Sequence, residues 1–209
     1  MTIFRKTIMA LTGLFICIFL IVHLGANLLL LLPEASARPM YNTYSGTLRG
    51  NPFIQVVAYV NYTCIILHVI YAIVITLKNL AQRQKKYKEF NTAQTSSWAS
   101  QNMGLLGSIL LAFIVIHMLN FWYRVKFLHE DQDLYQMVVD LFHQPAYVFF
   151  YTLAMIPLGF HLAHGVKSAF VSLGLYHRKF LRWVAKAGVL YAAVLSFAYA
   201  VIPLIVYFR

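Results

Sequence analysis

The chain reads as five long apolar stretches separated by short polar ones. Ile8–Leu32, Phe53–Leu77, Met103–Tyr123, Pro145–Val166 and Ala187–Phe208 each run without an Asp, Glu, Lys or Arg. Each exceeds the roughly 20 residues that a helix needs to cross a hydrocarbon core about 30 Å thick. A soluble core has no use for five such runs, and their continuity, without in/out alternation, predicts helices rather than barrel strands. The expected architecture is an all-α integral membrane bundle of five transmembrane helices, a single domain over residues 1–209 with no room for a second.

One side of such a bundle carries the N-terminus, the loop Lys78–Asn102 and the turn around Leu173–Lys186. The other carries Pro33–Pro52 and Arg124–Gln144. Within the latter, Leu134, Met137, Val138, Leu141 and Phe142 recur at helical spacing. They predict a short amphipathic helix, either lying in the membrane interface or simply covering the end of the bundle. Trp98, Trp122, Tyr123, Tyr41, Tyr44 and Tyr147 fall near span ends, as an aromatic belt does.

Composition agrees: 61% of residues are hydrophobic and 11% charged, against about a quarter charged in soluble domains. The net charge of +11 suggests nucleic acid only until its distribution is considered. Arg5, Lys6, Lys78, Arg83, Lys85, Lys86, Lys88, Lys167, Arg178, Lys179, Arg182 and Lys186 share one side of the bundle; Arg38, Arg49, Arg124, Lys126 and Arg209 share the other. The positive-inside rule then places the N-terminus in the cytoplasm and the C-terminus outside. Lipid headgroups account for the inner cations at least as well as an acidic partner does. The first run is too long for a cleavable signal peptide and no A-x-A-like site follows it. Cys17 and Cys64 lie within spans and read as small packing residues.

Four of the spans carry a histidine deep inside them: His23, His68, His117 and His161. An imidazole at that depth is costly and faces a functional interior instead of lipid. Counted from the inner end, His23 and His117 lie about 21–22 Å up their helices; His68 and His161 lie about 22–24 Å from the outer end of theirs. In a core of about 30 Å this makes two levels roughly 14 Å apart, each with two histidines. Two trans nitrogen donors from facing helices are what a low-spin haem requires, so the pattern points to two bis-histidine b-type haems stacked across the membrane. Gly25, Ala26, Gly159, Ala163 and Gly165 flank the candidates and permit close approach; Pro157, one turn before His161, removes a helix hydrogen bond.

Taken singly, each histidine reads equally as an interhelical hydrogen-bonding group or a proton relay. Depth alone leaves His161 and His164 as alternative ligands in the fourth span. His129, His143 and His177 fall in connections. Haem propionates need cationic partners, for which Arg124 and Lys126 are placed on the outer side and Lys167 and Arg182 on the inner; span-end anchoring is the simpler role for each.

The segments Lys6–Gly13, His23-Leu24-Gly25-Ala26-Asn27, Trp98–Gly104 and Phe160-His161-Leu162-Ala163-His164-Gly165 resemble the cytochrome b membrane-anchor subunit of succinate:quinone oxidoreductases. This is the family of succinate dehydrogenase and fumarate reductase, in its single-anchor, dihaem form. The resemblance spans essentially the whole chain. It implies that His23 and His117 ligate the outer haem and His68 and His161 the inner one. The family's fourth ligand stands in a His-x-x-x-Gly arrangement, met by His161 and Gly165. Some relatives use an outer acid at the quinone site; Glu34 is the only acid in the first outer loop. The implied role is electron transport in a respiratory chain of the bacterial inner membrane. A flavoprotein subunit with FAD and an iron–sulfur subunit would be the partners, and a quinone, menaquinone among the candidates, the substrate. Succinate and flavin chemistry would then lie outside this chain. A cytochrome b anchor of a hydrogenase or formate dehydrogenase, and a haem-free transporter or scaffold, are the competing expectations.

Overall fold

The computed structural model describes residues 3–86, 97–130, 132–175 and 177–209, and these are almost wholly helical. Lys88 and the middle of the connection expected over Lys78–Asn102, residues 87–96, lie outside the described residues. Helix α1 (Ile3–Leu28) continues through a 3-10 turn to Leu31. There follow α2 (Glu34–Gly50), α3 (Pro52–Lys86), a short α4 (Trp98–Gln101) and α5 (Met103–Met118). A π-helical turn, Leu119–Tyr123, leads into the short α6 (Arg124–Phe127). Then come α7 (Leu134–Phe142), α8 (Pro145–Ser172) and α9 (Arg178–Tyr207). Among the described residues, five helical segments are long and apolar enough to cross a membrane: Ile3–Leu31, Pro52–Ala81, Trp98–Phe127, Pro145–Ser172 and Arg178–Tyr207.

These segments outrun the charge-free stretches, chiefly at the end that carries the cations. Long Lys and Arg side chains reach away from apolar surface on their methylene stems, so a helix continues past its first charges. We call this the basic end. At the opposite, capped end, α2 and α7 pack together, and α7 also packs on α8 and α9. The stretch Pro33–Pro52 is thus mostly helix. Ala37, Tyr41, Tyr44 and Leu48 form its inward stripe, while Glu34 in the first turn and Arg49 in the last suit the helix dipole. Helix α7 covers the bundle end: Met137, Val138, Leu141 and Phe142 are all buried.

The core runs through α1, α8 and α9 and into the cap. Helices α8 and α9 have the closest seam. A Cβ added at Gly188 would stand 3.1 Å from Val166 Cβ, and one at Gly159 would stand 2.9 Å from Ser196 Oγ. Small residues of this kind let helix backbones approach where no hydrophobic force acts between helices in lipid. Helix α3 lies at the margin, packed on α1, α5 and α2. At the capped end the Arg209 guanidinium donates to the carbonyls of Leu30 at 3.0 Å and Leu32 at 2.7 Å, and to Leu31. It ties the end of α9 to the otherwise unpaired carbonyls that finish α1.

The cap is pinned by one carboxylate. Asp133 accepts from Gln136 N at 3.0 Å, from Asn42 Nδ2 at 2.9 Å and from Arg38 Nε at 2.8 Å. Burial works against its charge, but Asn42, the Gln136 amide and Arg38 outweigh that and hold the carboxyl below its ordinary range. A folded pKa below the unfolded value of about 3.9 stabilises the cap at neutral pH, and this stabilisation is lost as pH falls through the folded value. Asp133→Ala is expected to cost about 1 kcal/mol through the lost N-cap. It should also flatten the acid limb of a thermal-unfolding series in detergent. An acid limb identical to that of the unsubstituted protein would assign the acid sensitivity to other groups.

Candidate functional site

The four deep histidines meet in two pairs. His23 on α1 and His117 on α5 approach with ring centroids 5.8 Å apart and planes at 88°. His68 on α3 and His161 on α8 approach to 6.2 Å at 62°. The depth count gives the same partners. The ring that meets His68 is that of His161; His164 lies three positions further along α8.

Two glycines give the distance between the pairs. A Cβ at Gly13 on α1 would stand 3.1 Å from His68 Cε1, and one at Gly107 on α5 would stand 3.9 Å from His161 Cε1. Both glycines therefore sit at the level of the His68–His161 pair. On each helix the other pair's histidine lies ten residues further on, about 15 Å along the axis. Two independent helices thus set the pairs one above the other, with His68–His161 nearer the basic end.

Aromatic rings enclose the pair nearer the cap. Phe19 stacks on His23 at 5.3 Å, Phe113 on His117 at 5.8 Å, and Tyr151 and Phe121 lie 6.0 and 5.2 Å from His117. Tyr199 lies 6.1 Å from His23 and anchors its hydroxyl on Leu20 O at 2.7 Å. The π-helical turn begins two residues after His117 and shifts Asn120 so that its amide donates to Tyr151 Oη at 3.0 Å. Such turns recur at functional sites. A cleft of about 370 Å³ opens beside it, lined by Ile116, Leu119, Asn120, Ala146, Tyr147 and Phe150.

The pair nearer the basic end has a polar neighbour on α1. Thr12 Oγ1 lies 3.2 Å from His68 Nδ1 and is itself buried. The depth count could have found it, since Thr12 is as far from the basic end as His68, but a count of rise says nothing about which way a side chain faces. His117 Nδ1, His161 Nδ1 and Asn61 Oδ1 are buried without a hydrogen-bond partner among the described residues.

The remaining candidates lie elsewhere. Arg124 donates from Nε to Glu130 Oε2 at 2.7 Å, a pairing that competes with any propionate role. Lys126, Lys167 and Arg182 are exposed at the helix ends, and His129, His143 and His177 are exposed in or beside connections. Glu34 is exposed at the start of α2.

The pairs suit a metal that brings its own equatorial donors. Among the described residues, His, Cys, Asp and Glu side chains form no group of three or more fit to hold a metal ion, so a zinc-type site lacks ligands. A haem asks the protein only for its two axial donors. His23 with His117, and His68 with His161, would be the residues to hold such a group, their rings lying 5.8 and 6.2 Å apart. The chain matches no protein-family model, no curated protein and no solved structure.

Proposed function

We propose that the chain is the dihaem cytochrome b anchor of a membrane-bound succinate:quinone oxidoreductase. On this reading His23 and His117 hold one b-type haem, and His68 and His161 the other. Haem iron, alternating between ferric and ferrous, would supply one-electron chemistry at each pair. The observation that carries the reading is the coincidence of two facing imidazole pairs, with rings 5.8 and 6.2 Å apart, on four helices of an apolar bundle.

The rest of the chain has matching tasks. The aromatic box around His23 and His117 excludes water and fixes both rings. Gly13 keeps the backbone of α1 clear of His68. The basic end, with the N-terminus of α1, faces the cytoplasm by the positive-inside rule. An iron–sulfur subunit, linked to a flavoprotein subunit that handles succinate, would dock there, and quinone would be met within the bilayer. The resemblance of Lys6–Gly13, His23–Asn27 and Phe160–Gly165 to that family supplies these partners.

A reduced-minus-oxidised spectrum of the purified full chain tests the core of the proposal. Two b-type haems per chain are expected by pyridine haemochrome assay. Protein that folds as a helical bundle yet carries no haem, even after supply of haem during expression, would favour the transporter or scaffold alternative.

A further inference from the structure

We infer that Thr12 is a positioning residue for His68 and that its hydroxyl makes the two histidine pairs chemically unequal, the redox consequence resting on the haem reading above. Thr12 Oγ1 lies 2.8 Å from Ile8 O, 3.2 Å from Met9 O and 3.2 Å from His68 Nδ1. A hydroxyl has one proton to give, and both carbonyls can only accept. The shortest contact, back to Ile8 O one turn earlier, is the usual destination of a threonine proton within a helix. The lone pairs of Oγ1 are then left facing His68, and the Met9 carbonyl is a second acceptor for the same ring, which makes His68 Nδ1 the donor.

This fixes the tautomer. A neutral imidazole carries one N–H; with that proton on Nδ1, Nε2 keeps its lone pair. The reverse tautomer would set the Nδ1 lone pair against the Thr12 lone pairs in an interior where neither finds water, an arrangement that leaves a polar group unpaired at high cost. Thr12 therefore presets His68 with a free ligating nitrogen before any metal arrives. Gly13, next in sequence, borders the same Nδ1–Cε1 edge and leaves the ring only the space that a Cβ would take.

Two of the other rings differ. His117 Nδ1 and His161 Nδ1 are buried and have no hydrogen-bond partner among the described residues. A hydrogen-bond acceptor on the far nitrogen of a ligating histidine raises its basicity, which favours the more highly charged metal. Of these three ligands only His68 has that help, so the haem near the basic end is held at a lower potential than it would have without Thr12.

The test uses the full chain in detergent. Thr12→Val keeps the shape and removes the hydroxyl; Thr12→Ser keeps the hydroxyl. In a redox titration followed by haem absorbance, Thr12→Val is expected to raise one midpoint, that of the haem lost in His161→Ala, and leave the other in place. Thr12→Ser should titrate like the unsubstituted protein. Two haems with both midpoints unmoved in Thr12→Val would overturn the inference. A second measurement needs no haem. Magnetic resonance of isotope-labelled ring nitrogens in haem-free chain should find His68 as the Nδ1–H tautomer, and Thr12→Val should weaken that preference, with the Met9 carbonyl left as the remaining acceptor. Finding the Nε2–H tautomer in the unsubstituted chain would also overturn it, whereas an unsubstituted protein unable to bind haem overturns only the proposed function.

Discussion

Alanine in place of His68 or His161 is expected to remove one of the two haems and spare the other, so that haem content falls from two per chain to one. The same loss, of the other haem, is expected for His23→Ala and His117→Ala. The two losses should be separable because the pairs are about 15 Å apart along α1 and α5, with no histidine shared between them. With one histidine of a pair replaced, a haem would keep a single protein donor there, so partial occupancy is a poor compromise. His164→Ala is the control within α8. Its ring is not the one that meets His68, and both haems should survive its removal. Haemochrome stoichiometry and the reduced spectrum of each variant decide the matter. Loss of a haem in His164→Ala with retention in His161→Ala would move the ligand to His164. Loss of both haems from any single replacement, in a protein that still folds, would mean that the pairs are not independent.

Why the pairs could be drawn from sequence, and their surroundings could not, follows from what helix geometry transmits. A span announces itself by lacking charge over some 20 residues, and within it the constant rise of 1.5 Å per residue turns a position into a depth. His23 with His117 and His68 with His161 need nothing more. Rotation about the helix axis is another matter, since it depends on how neighbours pack. Thr12, at the depth of His68, could not be assigned to that ring until α1 and α3 were seen against each other. Helix α2 was hidden for a different reason: Glu34, Pro39, Asn42 and Arg49 make its sequence look like a polar connection, and its inward stripe matters only because the bundle end needs covering. The Asp133 contacts with Arg38 and Asn42 join residues more than 90 positions apart, a pairing that local pattern cannot show. The π-helical turn after His117 has no sequence signal at all; it inserts one residue's worth of backbone, which lets Asn120 reach Tyr151. The helices run past the Lys and Arg residues that end the charge-free stretches.

The second large effect is expected at Gly13, where the backbone of α1 leaves room for an imidazole. A methyl there would stand 3.5 Å from His68 Nδ1 and 3.1 Å from Cε1, the latter closer than the 3.5–4.0 Å at which carbon atoms attract. Alanine forces the ring to give by a few tenths of an ångström, and valine, branched at the Cβ, forces it out of line altogether. Overpacking of this kind commonly costs about 1–3 kcal/mol, part of which is repaid because glycine is a poor helix former by about 1 kcal/mol. The strain falls on the ring that must face His161, so Gly13→Val is expected to empty the pair near the basic end and leave the His23–His117 haem intact, with Gly13→Ala intermediate. Gly107 supplies the comparison. It touches the other ring of the same pair, but its added methyl would meet His161 Cε1 at 3.9 Å, an ordinary contact. Gly107→Ala should keep both haems and unfold at a slightly higher temperature. The outcome that would sink this account is equal haem loss in Gly13→Val and Gly107→Ala, because identical losses at 3.1 and 3.9 Å would mean that the fit of the ring against α1 does not govern ligation.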